Sequence, residues 1–149
     1  MLNRRRLIAA LPVVLAATSA CAAPARELTT YRSESCGCCK GWIAAMARAG
    51  YTSKDVVQDD VSPLWRSRNI PDELSSCHVA EIGGYVVIGH VPPADVTRLL
   101  AERPKAIGLT VPGMPIGSPG MEAPDGRREA YETLLLLQGG GTEVYARHA

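Results

Sequence analysis

The chain has 149 residues, 46% of them hydrophobic and 21% charged, a length and balance that fit one globular domain and exclude a largely disordered protein. With 16 Lys and Arg against 15 Asp and Glu, the formal charge is +1, too even for a surface that binds nucleic acid through net charge. Phe is absent, so Val, Leu, Ile and Ala must fill the core, with Trp42, Trp65 and five Tyr as the large rings.

Arg4, Arg5 and Arg6 precede an apolar run from Leu7 to Ala17 and small residues through Ala23, the pattern of an export signal. The run is shorter than the roughly 20 apolar residues of a membrane-crossing helix, so no span is expected. Ala20-Cys21-Ala22 suits cleavage before Ala23, making residues 1–22 a cleaved signal and 23–149 a single periplasmic domain. Cleavage before Cys21 would instead give a lipoprotein, for which Thr18 is a poor match, and Asn3 to Leu7 also resembles a twin-arginine signal. Loss of 1–22 removes three Arg and no acid, leaving 13 basic and 15 acidic residues and a formal charge of −2.

Leu28 to Arg32 is β-prone and runs into a turn-rich cysteine loop, Ser33 to Cys39. Lys40 to Ala49 favours a helix with Trp42, Ile43, Met46 and Ala47 on one face, stopped at Gly50. Ser53 to Gln58 reads as a second strand and Pro63 to Arg68 as a short helix with Pro in its first turn. Cys77 to Ile82 and Tyr85 to Gly89 flank Gly83-Gly84, a two-residue hairpin signal. Ala94 to Glu102 is a helix with Val96, Leu99 and Leu100 inward, ended by Pro104. Val111 to Met121, which contains Pro-Gly-Met twice, is a loop. Tyr131 to Leu137 and Glu143 to Arg147 flank Gln138 to Gly141 as a terminal hairpin, although Leu134 to Leu137 also fits the end of a helix begun near Arg127. The order βαβα, ββ, α predicts an α/β, thioredoxin-like fold: a small mixed sheet flanked by helices, with a Pro/Gly/Met loop and a C-terminal hairpin.

Cys36, Cys38 and Cys39 crowd into four residues where a strand gives way to a helix. Helix N-terminal amides favour thiolate over thiol, which makes better nucleophiles and better ligands. Four exported cysteines ordinarily suggest two disulfides, but this crowding disfavours unstrained bridges and favours a soft metal ion. Cys36 and Cys39 alone match the Cys-x-x-Cys of thiol-disulfide oxidoreductases; Cys38 between them is a competing partner that impairs clean cycling. Cys77 and His78 open the predicted hairpin, where a thioredoxin carries the proline facing its cysteines, so the fold would bring a fourth thiol and an imidazole to the other three. A disulfide from Cys77 to a loop cysteine, and plain packing for His78, are the alternatives. His90 ends the partner strand as a further candidate, whereas His148 reads as a solvated tail residue. Met114 and Met121, in matching contexts on an irregular loop, offer thioethers suited to Cu(I); core filling is the alternative. Met46 on the helix is core.

Ser35 to Trp42, Ser76-Cys77-His78, Gly89-His90-Val91-Pro92 and Pro112 to Met121 together resemble the exported copper-resistance proteins of the CopG type, over nearly all of residues 27–148. The resemblance implies a thioredoxin-like fold, a cysteine-bridged multinuclear copper site and a role in periplasmic copper handling that could extend to interconverting Cu(I) and Cu(II) with other copper-handling or redox proteins. Carried over by position, the site would use Cys36, Cys38, Cys39 and Cys77, with His78, His90, Met114 and Met121 as additional candidates. A thiol-disulfide oxidoreductase is the competing reading. A structural zinc domain is weaker, since closed zinc sites seldom recruit methionine.

Overall fold

The computed structural model describes residues 26–149; the expected export signal and Cys21 lie outside the described residues. Strand β1 (Glu27–Arg32) leads through the cysteine loop into helix α1 (Gly37–Arg48), and β2 (Thr52–Val57) returns parallel to β1. Helix α2 (Ser62–Arg66) and a single 3-10 turn (Asp72–Leu74) precede the hairpin of β3 (His78–Ile82) and β4 (Tyr85–Gly89). Gly83 and Gly84 turn that hairpin with φ of 56° and 87°, the positive pair that a two-residue turn of this hand requires. Helix α3 (Pro93–Glu102) crosses over to β5 (Ala106–Val111), parallel to β4, and after the Pro/Gly/Met loop β6 (Tyr131–Leu137) and β7 (Thr142–His148) form the expected terminal hairpin.

The seven strands lie in one mixed sheet, ordered β2-β1-β3-β4-β5-β6-β7, which is larger than the small sheet expected. Strand β5, which pairs with β6, joins the terminal hairpin to the rest. Its sequence gave little warning, because Gly108 interrupts the apolar run; a Cβ there would lie 1.7 Å from the Val86 carbonyl oxygen, so the glycine permits the close β4–β5 approach.

Period-two alternation sorts the strand side chains onto two faces. Ala80, Ile82, Val87, Leu109 and Val111 meet Trp42 and Met46 of α1 and Val96, Leu99 and Leu100 of α3. On the opposite face Val79, Val86, Ile88 and Leu136 meet Trp65 of α2 and Ile70. Central β4 is therefore buried along its whole length.

Two local expectations need correction. Helix α1 begins at Gly37, earlier than predicted, so Cys38 and Cys39 lie in its first turn; its buried face carries Ala45 where Ala47 was expected. His148 is no solvated tail: its Nε2 sits 2.8 Å from Oδ2 of buried Asp95, which also accepts from Thr133 Oγ1, and its ring stacks on Tyr131 at 4.8 Å.

Candidate metal centre

The sheet order places four chain segments at one end of the molecule. The C-terminal end of β1, the N-terminal end of β3 and the C-terminal ends of β4 and β5 are neighbours along the same edge. From them emerge, in turn, Cys36 with α1, Cys77 with His78, His90, and the loop bearing Met114. Residues up to 78 positions apart in sequence thus meet because strand polarity leaves them no other end.

Cys38 is the hub. Its Sγ lies 3.5 Å from Cys36 Sγ, 3.7 Å from Cys77 Sγ and 3.9 Å from Met114 Sδ. Two metal–sulfur bonds of about 2.3 Å separate sulfurs by at most about 4.6 Å, so all three spacings are short enough for a shared ion. Cys39 is fully buried, its Sγ 3.6 Å from the Cys77 carbonyl oxygen. The metal-ligating atoms of Cys36, Cys38, Cys39 and Cys77 lie within 4.8 Å of one another, as do those of Cys77, His78 and His90. Cys77 belongs to both groups.

One expectation about these thiols is overturned. Cys36 and Cys39 are joined as a disulfide, leaving Cys38 and Cys77 free, although crowding was expected to disfavour a bridge. The reason is helical: residues three apart across the first turn of α1 face the same way, and their Cα atoms are only 5.3 Å apart, a normal bridging distance. Cys77 takes no part in a bridge, contrary to the alternative that paired it with the loop.

The histidines are held neutral. His90 Nδ1 donates to the Pro119 carbonyl at 2.8 Å, which fixes the tautomer and leaves Nε2 aimed at Cys77 Sγ, 3.2 Å away. Burial pulls the His90 pKa down, partly opposed by the Pro119 carbonyl and the Glu122 carboxylate. His78 is buried between the Trp42 ring at 4.7 Å and the His90 ring at 5.1 Å; burial first, then His90, lower its pKa to about 3. Its Nδ1 lies 3.4 Å from Cys77 Sγ, and its Nε2 has no partner among the described residues. Nδ1 is thus the His78 nitrogen that faces the sulfur cluster. Burial, reinforced by Cys38, pushes the Cys77 thiol up to about 12, so metal would have to displace its proton. The donors are sulfur and nitrogen, a soft set suited to copper.

Met114 Sδ reaches Cys38 Sγ, while the backbone of Met121 closes the same loop, its N–H donating to the Ser118 carbonyl and its carbonyl accepting from Gly117. Three supports were invisible beforehand. Ser76 Oγ donates to the Gly113 carbonyl at 2.7 Å and pins the residue before Met114. The Pro119 carbonyl orients His90. Gly41 and Gly120 touch backbone to backbone, so that a Cβ on Gly41 would lie 2.9 Å from Gly120 Cα. A glycine inside a helix was the available signal, since it is costly there unless another backbone approaches closely.

The family model that matches, over residues 74–121, is described as a protein of unknown function, DUF411; that span contains Cys77, His78, His90, Met114 and Met121 but not the α1 cysteines. No curated protein matches. Among solved structures, form 1 of the copper resistance protein CopG is 40% identical, with 85% of this chain and 98% of that chain covered and a TM-score of 0.77. Form 2 is 39% identical, with 85% and 100% covered and a TM-score of 0.78. The chain belongs to the CopG family. As a CopG homologue it carries a Cys/His cluster with the geometry to hold metal, and no helix among its described residues is long and apolar enough to cross a membrane.

Proposed function

We propose that this protein is a periplasmic copper-binding protein of copper resistance, holding more than one Cu(I) in a thiolate-bridged site. The observation that carries the reading is Cys38 Sγ within 4 Å of three other sulfurs, at 3.5, 3.7 and 3.9 Å, with two neutral imidazoles behind Cys77. Cys36, Cys38, Cys39 and Cys77 would supply the bridging thiolates once two electrons and two protons have opened the Cys36–Cys39 disulfide. His78 and His90 would complete the resident set, with Met114 at its solvent-exposed edge and Met121 a further candidate. A site mixing thiolate and imidazole accepts both copper oxidation states and could interconvert them with an external redox partner. The order β2-β1-β3-β4, with β1 and β2 parallel and β3 antiparallel to both its neighbours, supports a thioredoxin-like core extended by β5 to β7.

The test is a titration of the reduced chain with Cu(I) against a chromophoric chelator. More than one tightly held ion per chain is expected; one or none counts against a multinuclear site. Cys38→Ser should lower the stoichiometry.

The Cys36–Cys39 disulfide at the start of α1 favours a second reading, a thiol-disulfide oxidoreductase. Cys38→Ser separates the two: copper binding left intact beside strong insulin reduction would transfer the function to disulfide exchange.

A further inference from the structure

Three large apolar side chains are exposed among the described residues: Val57 at 46%, Met114 at 51% and Val144 at 43%. Val57 and Val144 lie on β2 and β7, the outer strands of the sheet, where exposure follows from position. Met114 is different, because its sulfur touches Cys38 while the side chain remains open to solvent. Nor is that placement left to a free loop. The Ser76 hydroxyl, adjacent to Cys77, holds the Gly113 carbonyl, and Gly113 takes a φ of +72° that a side chain would resist.

The sulfurs therefore form a graded path inward: Met114 exposed, Cys38 and Cys77 half-buried, Cys39 buried. Resting on the copper-binding reading, we propose that Met114 is the exchange ligand through which Cu(I) enters and leaves the cluster. A thioether is neutral, binds Cu(I) without losing a proton and holds it less firmly than a thiolate, as a transient ligand must. At 3.9 Å from Cys38 it can share the ion with the next ligand before releasing it, so the ion is never bare. On entry the bond from copper to Met114 Sδ breaks as the bond to Cys38 Sγ forms, the Cys38 thiol proton passes to water, and copper stays Cu(I) throughout. Exit reverses each step.

The test compares wild type with Met114→Leu, which keeps the shape and removes the sulfur, and with Val144→Ala as an exposed control. Stopped-flow mixing of the reduced, Cu(I)-loaded protein with a chromophoric chelator, and of chelator-bound Cu(I) with the metal-free protein, gives the exchange rates; equilibrium titration gives stoichiometry and affinity. Met114→Leu should slow transfer in both directions at least about tenfold, the effect of losing one weak bond from the transition state, with stoichiometry and affinity unchanged. Val144→Ala should match wild type. Wild-type rates in Met114→Leu would overturn the proposal, and so would a lost ion or a weakened affinity, which would make Met114 a resident ligand. A wild-type chain that takes up no Cu(I) would overturn the copper-binding reading and this one with it; normal uptake with unaltered exchange in Met114→Leu would overturn this one alone.

Discussion

Replacing Gly41 by alanine would set a methyl carbon 2.9 Å from Gly120 Cα and 3.2 Å from the Gly120 carbonyl oxygen. Carbon atoms pack at about 3.5–4.0 Å, so the two backbones must separate by about 0.6–1 Å. Neither contact can be relieved by turning a side chain. Overpacking of this kind costs about 1–3 kcal/mol, offset by about 1 kcal/mol because alanine is the better helix residue, so global stability should change little. The site should change more. Gly120 adjoins Pro119, whose carbonyl accepts from His90 Nδ1 at 2.8 Å, and an outward shift of that size would stretch the hydrogen bond past its useful range. Loss of a partner that orients a ligating histidine typically weakens metal binding about 10- to 100-fold, and that loss of Cu(I) affinity is expected in chelator competition. Gly139→Ala, which adds a methyl to open space in the β6–β7 turn, should leave affinity unaltered. Gly41→Ala affinity within about threefold of wild type would refute the coupling between loop and ligand.

Cys77→Ser should remove the sulfur common to both donor groups and so lower Cu(I) stoichiometry more than Met121→Leu does, measured by metal content after gel filtration. In the metal-free protein His78 is neutral when folded, with a pKa near 3 against 6.5 for a free imidazole, so between those values the unfolded chain binds the extra proton. Stability should accordingly fall as pH drops from about 6.5 toward 3, by up to about 1.4 kcal/mol per pH unit, and His78→Leu should flatten that component of urea midpoint against pH. Arg32 is buried and donates to the Ser33 and Glu34 carbonyls and to Asp55; Arg32→Met should cost about 1–3 kcal/mol in urea denaturation, because it unpairs two carbonyls just before Cys36 and the Asp55 carboxylate on β2. Gly108→Ala should cost more than about 4 kcal/mol or abolish folding, because its methyl would occupy the position of the Val86 carbonyl.

Much of the site was legible because thiol, imidazole and thioether residues are chemically conspicuous and the hairpin at Gly83-Gly84 left little doubt about where Cys77 would go. What escaped was contributed by backbone. The Pro119 carbonyl has no sequence identity to read, and the value of Gly41 depends on Gly120, 79 positions later, lying against it. Strand β5 escaped for a related reason: Gly108 looks like a break until Val86 is placed beside it. The distinction between Met114 and Met121 was equally closed, since the two sit in the same tripeptide and differ only in how the loop folds back through Gly117 and Ser118.

The disulfide is the feature that most constrains how copper and redox chemistry can share this site. Cys36 and Cys39 span one helical turn, and with their bond closed Cys38 Sγ still lies 3.7 Å from Cys77 Sγ and 3.9 Å from Met114 Sδ. In the bridged state Cys38, Cys77, His78 and His90 are still assembled and can hold an ion, whereas the reduced state adds two thiolates beside them. Capacity for soft ions should therefore rise when the bridge opens and fall when it closes, with the nitrogen donors untouched by either change. The third cysteine, an obstacle to a simple disulfide exchanger, is in this arrangement what keeps a donor set standing in both redox states.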